Sequence, residues 1–162
     1  MKFTTPLALA AATLVAAPAF AEDKAEAAEP ELVFSQDSVA AMQGDIVIES
    51  PYAVAMKDDE ILVFMTIHNG AKEDDVITSV SSEAATKVSL AEFKGSGDER
   101  KSDLLKELPT PGNNAVMMDL DGLHVILTDL KEPVEGGDTI PVILTFAETG
   151  DLKVEVSVAV MN

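Results

Sequence analysis

The feature that most constrains the fold is a two-residue alternation of apolar and polar side chains near the C-terminus. Ile140, Val142, Leu144 and Phe146 share one face of a segment. Leu152, Val154, Val156, Val158 and Val160 share one face of the next, with Lys153, Glu155 and Ser157 opposite. In a strand, successive side chains point to opposite sides, so this period belongs to β-structure with one buried face. Thr149-Gly150-Asp151 supplies the turn between the two segments. The same grammar runs back through the chain. Asp45–Glu49 and Tyr52–Met56 flank Pro51. Ile61–His68 is apolar on both faces, as in a strand covered on both sides. Val76–Ser81, Lys87–Phe93, a weaker Asp103–Leu108, Val116–Leu120 and Leu123–Leu130 complete the set. Asp121-Gly122 between the last two is a hairpin signal. No helix stands out in this body. Short strands with a turn every ten or so residues predict an all-β, antiparallel sandwich.

The N-terminus has a different grammar. Lys2 precedes an uncharged run from Leu7 to Ala17, and Ala19-Phe20-Ala21 fits the small-x-small pattern read by signal peptidase. The apolar stretch from Leu7 to Ala21 is shorter than the roughly 20 residues of a spanning helix. Glu22 and Asp23 follow at once, with no basic cluster to stop transfer. These features predict export to the periplasm, cleavage after Ala21 and no membrane insertion afterwards. Residues 22–43 are charged and Ala-rich at first, contain Pro30, and predict an unstructured linker. Within it, Leu32, Val33 and Phe34 are candidates for docking on the domain. The domain itself is assigned to 44–162.

Composition narrows the chemistry. The formal charge of −18 opposes nucleic acid and anionic lipid; it reads first as a solubilising surface, and as an alternative would favour a basic partner or cations. The absence of cysteine excludes disulfides, thiolate metal sites and Cys nucleophiles. There is no phosphate-binding Gly-rich loop and no Gly-x-Ser-x-Gly elbow, and the chain is expected not to be an enzyme. The acidic runs Asp58-Asp59-Glu60 and Glu73-Asp74-Asp75 fit no calcium loop and read as solvated turns. What remains is a set of soft ligands: His68, His124, Met42, Met56, Met65, Met117, Met118 and Met161. Imidazole and thioether without thiol suit Cu(I) in an oxidising compartment. Met is also ordinary core filler, and Met65 within Ile61–His68 is expected to be core.

Several stretches then add up. They are Ser50–Ala55, Val63–Asn69, Asp74–Ile77, Val80–Ala85, Gly122–Val125, Leu130–Val134 and, most specific, Gly137–Phe146. Over roughly residues 45–160 the chain resembles the PCu(A)C family of periplasmic copper chaperones. The resemblance implies a cupredoxin-like Greek-key β-sandwich and Cu(I) as cargo. It also implies delivery to the CuA site of cytochrome c oxidase, with an oxidase subunit or another copper-assembly protein as partner. It implies a ligand set of His, then Met after ten intervening residues, then His-x-Met after 21 more. His124 matches the second His. Ala91 stands at the first His position, Ser102 at the first Met and Ile126 at the second, with the spacing intact. Three of four ligands are therefore replaced. The alternative is a periplasmic interaction or assembly module of the same fold that binds no metal. A relocated site would have to draw on His124, His68 and one of Met117 and Met118, whose side chains point to opposite faces.

Overall fold

The computed structural model describes residues 39–56 and 59–159. The signal segment, positions 22–38 of the linker, the Lys57-Asp58 corner and the last three residues lie outside the described residues.

Among the described residues, eleven strands form one continuous sheet: β1 (Val39–Gln43), β2 (Ile46–Ala55), β3 (Ile61–Asn69), β4 (Asp75–Ser81), β5 (Ala85–Lys94), β6 (Lys101–Leu105), β7 (Leu108–Thr110), β8 (Asn114–Met117), β9 (Leu123–Leu130), β10 (Thr139–Phe146) and β11 (Gly150–Val158). The strand order is β6-β5-β9-β3-β2-β11-β10-β4-β7, with β1 added to β2 and β8 to β3. The fold is all-β, with the sheet curled like a barrel around one core. Every pairing is antiparallel except β2 with β11, where Tyr52 and Ala53 lie beside Ser157 and Val158. The bend the fold requires falls at Ser50-Pro51. Ser50 has φ of 48°, and the β2–β3 register shifts between Glu49 and Tyr52.

The alternation read from the sequence sets the packing. Ile140, Val142, Leu144 and Phe146 of β10 are buried, as are Leu152, Val154, Val156 and Val158 of β11. They meet Ile46, Ile48, Val63, Met65, Ile67, Val125 and Leu127 in the main core. β3 is buried on both faces from Ile61 to Met65, as its composition predicts. Its outer face carries Leu62 and Phe64, which join Val54 in a second, smaller cluster packed by Phe93 and Ile126.

Three expectations are corrected. First, the last five residues of the expected linker are strand β1. Gln43, Met42 and Ala41 pair with Ile46, Val47 and Ile48, so the ordered domain already includes Val39. Second, Asp103–Leu108 is not one strand. β6 pairs with β5 and β7 with β4, so the chain crosses between the two ends of the sheet path at Lys106-Glu107. Third, Asp121-Gly122 is not a hairpin turn. β8 and β9 both run antiparallel to β3, beside Thr66–Asn69 and Ile61–Val63 respectively. They are two parts of one interrupted line, with residues 118–122 as an excursion between them. Met118 anchors the excursion by burying its side chain and donating its N–H to the Met65 carbonyl at 2.9 Å. Asp119 closes it by accepting the Asp121 N–H at 2.8 Å.

Candidate functional site

That excursion leads directly into His124. In the β5–β9 ladder Ala91 lies opposite His124 and Ser89 opposite Ile126. In the β5–β6 ladder Phe93 lies opposite Ser102. Directly paired residues point to the same side of a sheet. Ala91, Ser102, His124 and Ile126, found by counting along the chain, therefore share one face. The structure brings all four positions together on the outer side of the sheet, over the smaller apolar cluster.

The imidazole of His124 is fully buried. Phe93 stacks on it with ring centroids 4.1 Å apart and planes at 26°. Phe64 stands 6.3 Å away on a tilted plane. Arg100 lies over the Phe93 ring at 3.8 Å, a cation–π contact, and reaches Asp121 at 3.4 Å. Both ring nitrogens are engaged. Nδ1 is 3.1 Å from the Gly122 carbonyl, and Nε2 is 3.0 Å from Oγ of Ser102. A carbonyl can only accept, so Nδ1 carries the proton. Nε2 is then the acceptor, and the Ser102 hydroxyl donates to it. The Gly122 carbonyl also accepts the Phe93 N–H at 3.1 Å, which ties the stacked ring to the same point. Burial pushes the His124 pKa down and the Arg100 charge adds to this, while the Gly122 hydrogen bond opposes it. The net shift is below 6.5, which favours the neutral ring.

As a Cu(I) site this arrangement does not fit. Cu(I) prefers several soft donors. Here one nitrogen lone pair is present, and a hydroxyl already occupies it. Ala91 and Ile126 offer only carbon. Among the described residues the methionines do not compensate. Met65 and Met118 are buried, and Met117 is 65% exposed on β8. His68 stands on β3 four residues beyond Phe64, roughly 13 Å along the strand. It lies 2.8 Å from a carboxylate oxygen of Glu49. No relocated site is assembled, and no cluster of three or more His, Cys, Asp or Glu able to hold a metal occurs among the described residues.

Counting from the resemblance located the four positions but missed what fills them. Phe93 is two residues from Ala91 and so shares its strand face, but its stacking on His124 depends on the β5–β9 register. Arg100 and the Gly122 carbonyl had no local signal, because their placement depends on the β5–β6 connection and on the excursion before β9.

A second polar centre holds the opposite part of the fold. Asp75, expected to be a solvated turn residue, is instead buried at the start of β4 and accepts from the N–H groups of Val76, Glu148 and Thr149 at 2.7, 3.0 and 3.0 Å, and from the Thr149 hydroxyl at 2.7 Å. Burial raises its pKa, and these bonds more than offset that, so the net shift is downward. All four donors are structural, and the carboxylate pins β4 to the β10–β11 turn.

The architecture is that of a PCuAC domain. A copper-bound PCuAC domain from PmoF2 superposes with a TM-score of 0.60 at 22% identity, covering 74% of this chain and 97% of that one. An apo PCuAC domain from PmoF1 gives 0.60 at 18% identity, covering 74% and 98%. The Cu(I) form of DR1885 from Deinococcus radiodurans gives 0.57 at 21% identity, covering 74% and 80%. The sequence profile of the LpqE-like family matches residues 46–158, and the chain belongs to that family. Curated protein sequences give no match.

Proposed function

We propose that this chain is an exported, non-enzymatic domain of the copper-chaperone fold that works as a protein-interaction module and does not hold Cu(I) at the family's site. One observation carries this reading: the Ser102 hydroxyl caps Nε2 of His124 at 3.0 Å. The stacked Phe93 ring and the side chains of Ala91 and Ile126 supply no further donor. Export rests on the N-terminal pattern and on the lipoprotein for which the LpqE-like family is named. No helix among the described residues is long and apolar enough to cross a membrane. Lipid attachment through a cysteine thiol is not open to this sequence, which has none.

A second reading follows the copper-bound domains of the same fold: Cu(I) carriage and delivery to the CuA site of cytochrome oxidase. What favours it is the preserved spacing and an unprotonated Nε2 at the position of the second His. It would require Ser102 to turn away and a partner to supply soft ligands.

Titration of the purified protein with Cu(I) against a competing chelator, beside a His124→Ala variant, separates the two. The interaction-module reading expects no binding that competes with the chelator. Tight one-to-one binding lost in His124→Ala would replace it with the chaperone reading. Tight binding that survives His124→Ala would mean another Cu(I) site.

A further inference from the structure

The large exposed apolar side chains among the described residues are Met42, Tyr52, Met56, Leu104, Met117 and Leu120. The strand register places Met42, Tyr52, Leu104 and Met117 on the outer face of the sheet. Tyr52 pairs with Phe64, and their rings are 5.1 Å apart. Leu104 pairs with Ala91, which pairs with His124. Met117 pairs with Thr66, two residues from Phe64 on the same face of β3. Met42 pairs with Val47, and Val47 with His68, further along that face. Met56 follows β2 beyond Val54, and Leu120 is on the excursion that leads into His124. The outer sheet face over the His124 cluster is thus edged by exposed Leu, Met and Tyr. Unbranched Met side chains can adapt their shape to a partner.

The charges beside these side chains are mostly negative. Asp59 and Glu60 follow Met56 within a turn closed by the Met56 N–H on the Glu60 carbonyl at 2.7 Å. Asp119 and Asp121 bracket Leu120. Arg100 at this edge is already 3.4 Å from Asp121, and Lys101 and Lys106 lie within three residues of Leu104. The chain as a whole carries −18. A second copy would bring the same charge, and an anionic lipid surface would be repelled as well.

We infer that this face docks a partner protein whose exposed apolar side chains are flanked by Lys and Arg, with Leu104 and Met117 as anchors. The inference rests on the interaction-module reading and names the surface it uses. Apolar contact at the centre supplies affinity, and the acidic rim supplies steering and orientation.

The test uses a fluorescently labelled amphipathic Leu/Lys peptide, with its Leu/Glu counterpart as control, and reads anisotropy against concentration of the full protein. The Leu/Lys peptide should bind, and should bind more weakly as salt rises. The double variant Leu104→Ser, Met117→Ser should bind about tenfold more weakly. Both side chains are 65% exposed, so its circular dichroism and melting midpoint should match those of the parent. The variant Glu60→Gln, Asp119→Asn should flatten the salt dependence. Equal binding by the Leu104/Met117 variant, or equal binding of the Leu/Glu peptide, would overturn the inference. So would a dimer in sedimentation equilibrium that this variant dissociates, because the occupant would then be a second copy. Cu(I) titration of the same samples reads the other claim separately. Tight copper binding would remove the non-metal reading and leave the peptide result standing, and loss of peptide binding would leave the copper result standing.

Discussion

Ser102 donates its hydroxyl to Nε2 of His124 at 3.0 Å, across 22 residues of sequence. The bond joins β6 to β9 over the intervening strand β5, and it satisfies a nitrogen that would otherwise be buried without a partner. Ser102→Ala removes the donor and leaves the acceptor in place. The expected loss is roughly 1–3 kcal/mol, the penalty for stranding a buried polar atom, read from denaturant unfolding. Nitrogen-detected NMR of the parent should show His124 as the Nδ1–H tautomer. The Nε2–H form would break the assigned pair of hydrogen bonds.

Restoring the missing donors should restore the metal. The triple variant Ala91→His, Ser102→Met, Ile126→Met places the soft groups implied by the PCu(A)C resemblance around His124, on positions the ladders already aim to one face. It should bind Cu(I) one-to-one, measured by chelator competition beside the parent, for which the proposed reading expects no competing binding. The gain has a structural cost. Ala91 is fully buried beside the stacked Phe93 ring, so the larger imidazole overpacks the cluster, by about 1–3 kcal/mol. Failure of a folded triple variant to bind would mean that Phe93 and Arg100 close the site regardless of ligands.

The contrast between Met65 and Phe93 shows what was legible in the sequence. Met65 sits in an apolar run with a clear period, and local pattern alone placed it in the core. The same holds for β10, β11 and the opposite faces of Met117 and Met118. Phe93 has its role only once β5 is registered against β9 and β6, which no local pattern encodes. The parallel contact of Tyr52 with Ser157 is equally silent, since it joins segments about a hundred residues apart. Asp121-Gly122 misled for a related reason. Turn chemistry says that the chain bends, but not whether the next segment returns alongside the last or rejoins its line. That Ala91, Ser102, His124 and Ile126 share one face was legible because the PCu(A)C spacing carries the register with it.

Acid should loosen the fold at Asp75 and at His124. Both pKa values are lower in the folded state, so the unfolded chain binds more protons and stability rises with pH across each transition. For His124 the contribution is complete above about 6.5 and declines as pH falls from there toward the depressed folded value. For Asp75 it is complete above about 3.9 and is lost below that. Denaturant unfolding across pH should show both declines. His124→Gln should remove the upper one and Asp75→Asn the lower. A flat profile between pH 7 and 5 in the parent would contradict the buried, neutral imidazole.

Gly112 is where the crossing from β7 to β8 tolerates no side chain. A Cβ placed there would clash with the Lys72 carbonyl oxygen and lie 2.6 Å from its carbon, both backbone atoms. The neighbouring loop cannot retreat, because it is fastened on both sides. Asn113 donates its N–H to the Ala71 carbonyl at 2.8 Å, and Gly112 donates its own to Asp74 at 2.9 Å. Asn69, itself buried, accepts the Ala71 N–H at 3.0 Å and donates to the Thr110 carbonyl at 2.8 Å. Gly112→Ala must therefore break part of this network or displace β7 from β4. The expected destabilisation is more than about 3 kcal/mol, in the upper range for single substitutions. Gly137→Ala is a useful comparison. That position has φ of 99° but open space around its Cβ, so it carries backbone strain without a clash. It should lose only about 1–2 kcal/mol. Thermal melts of the two variants side by side would reveal the difference, and equal midpoints would show that the Lys72 contact yields.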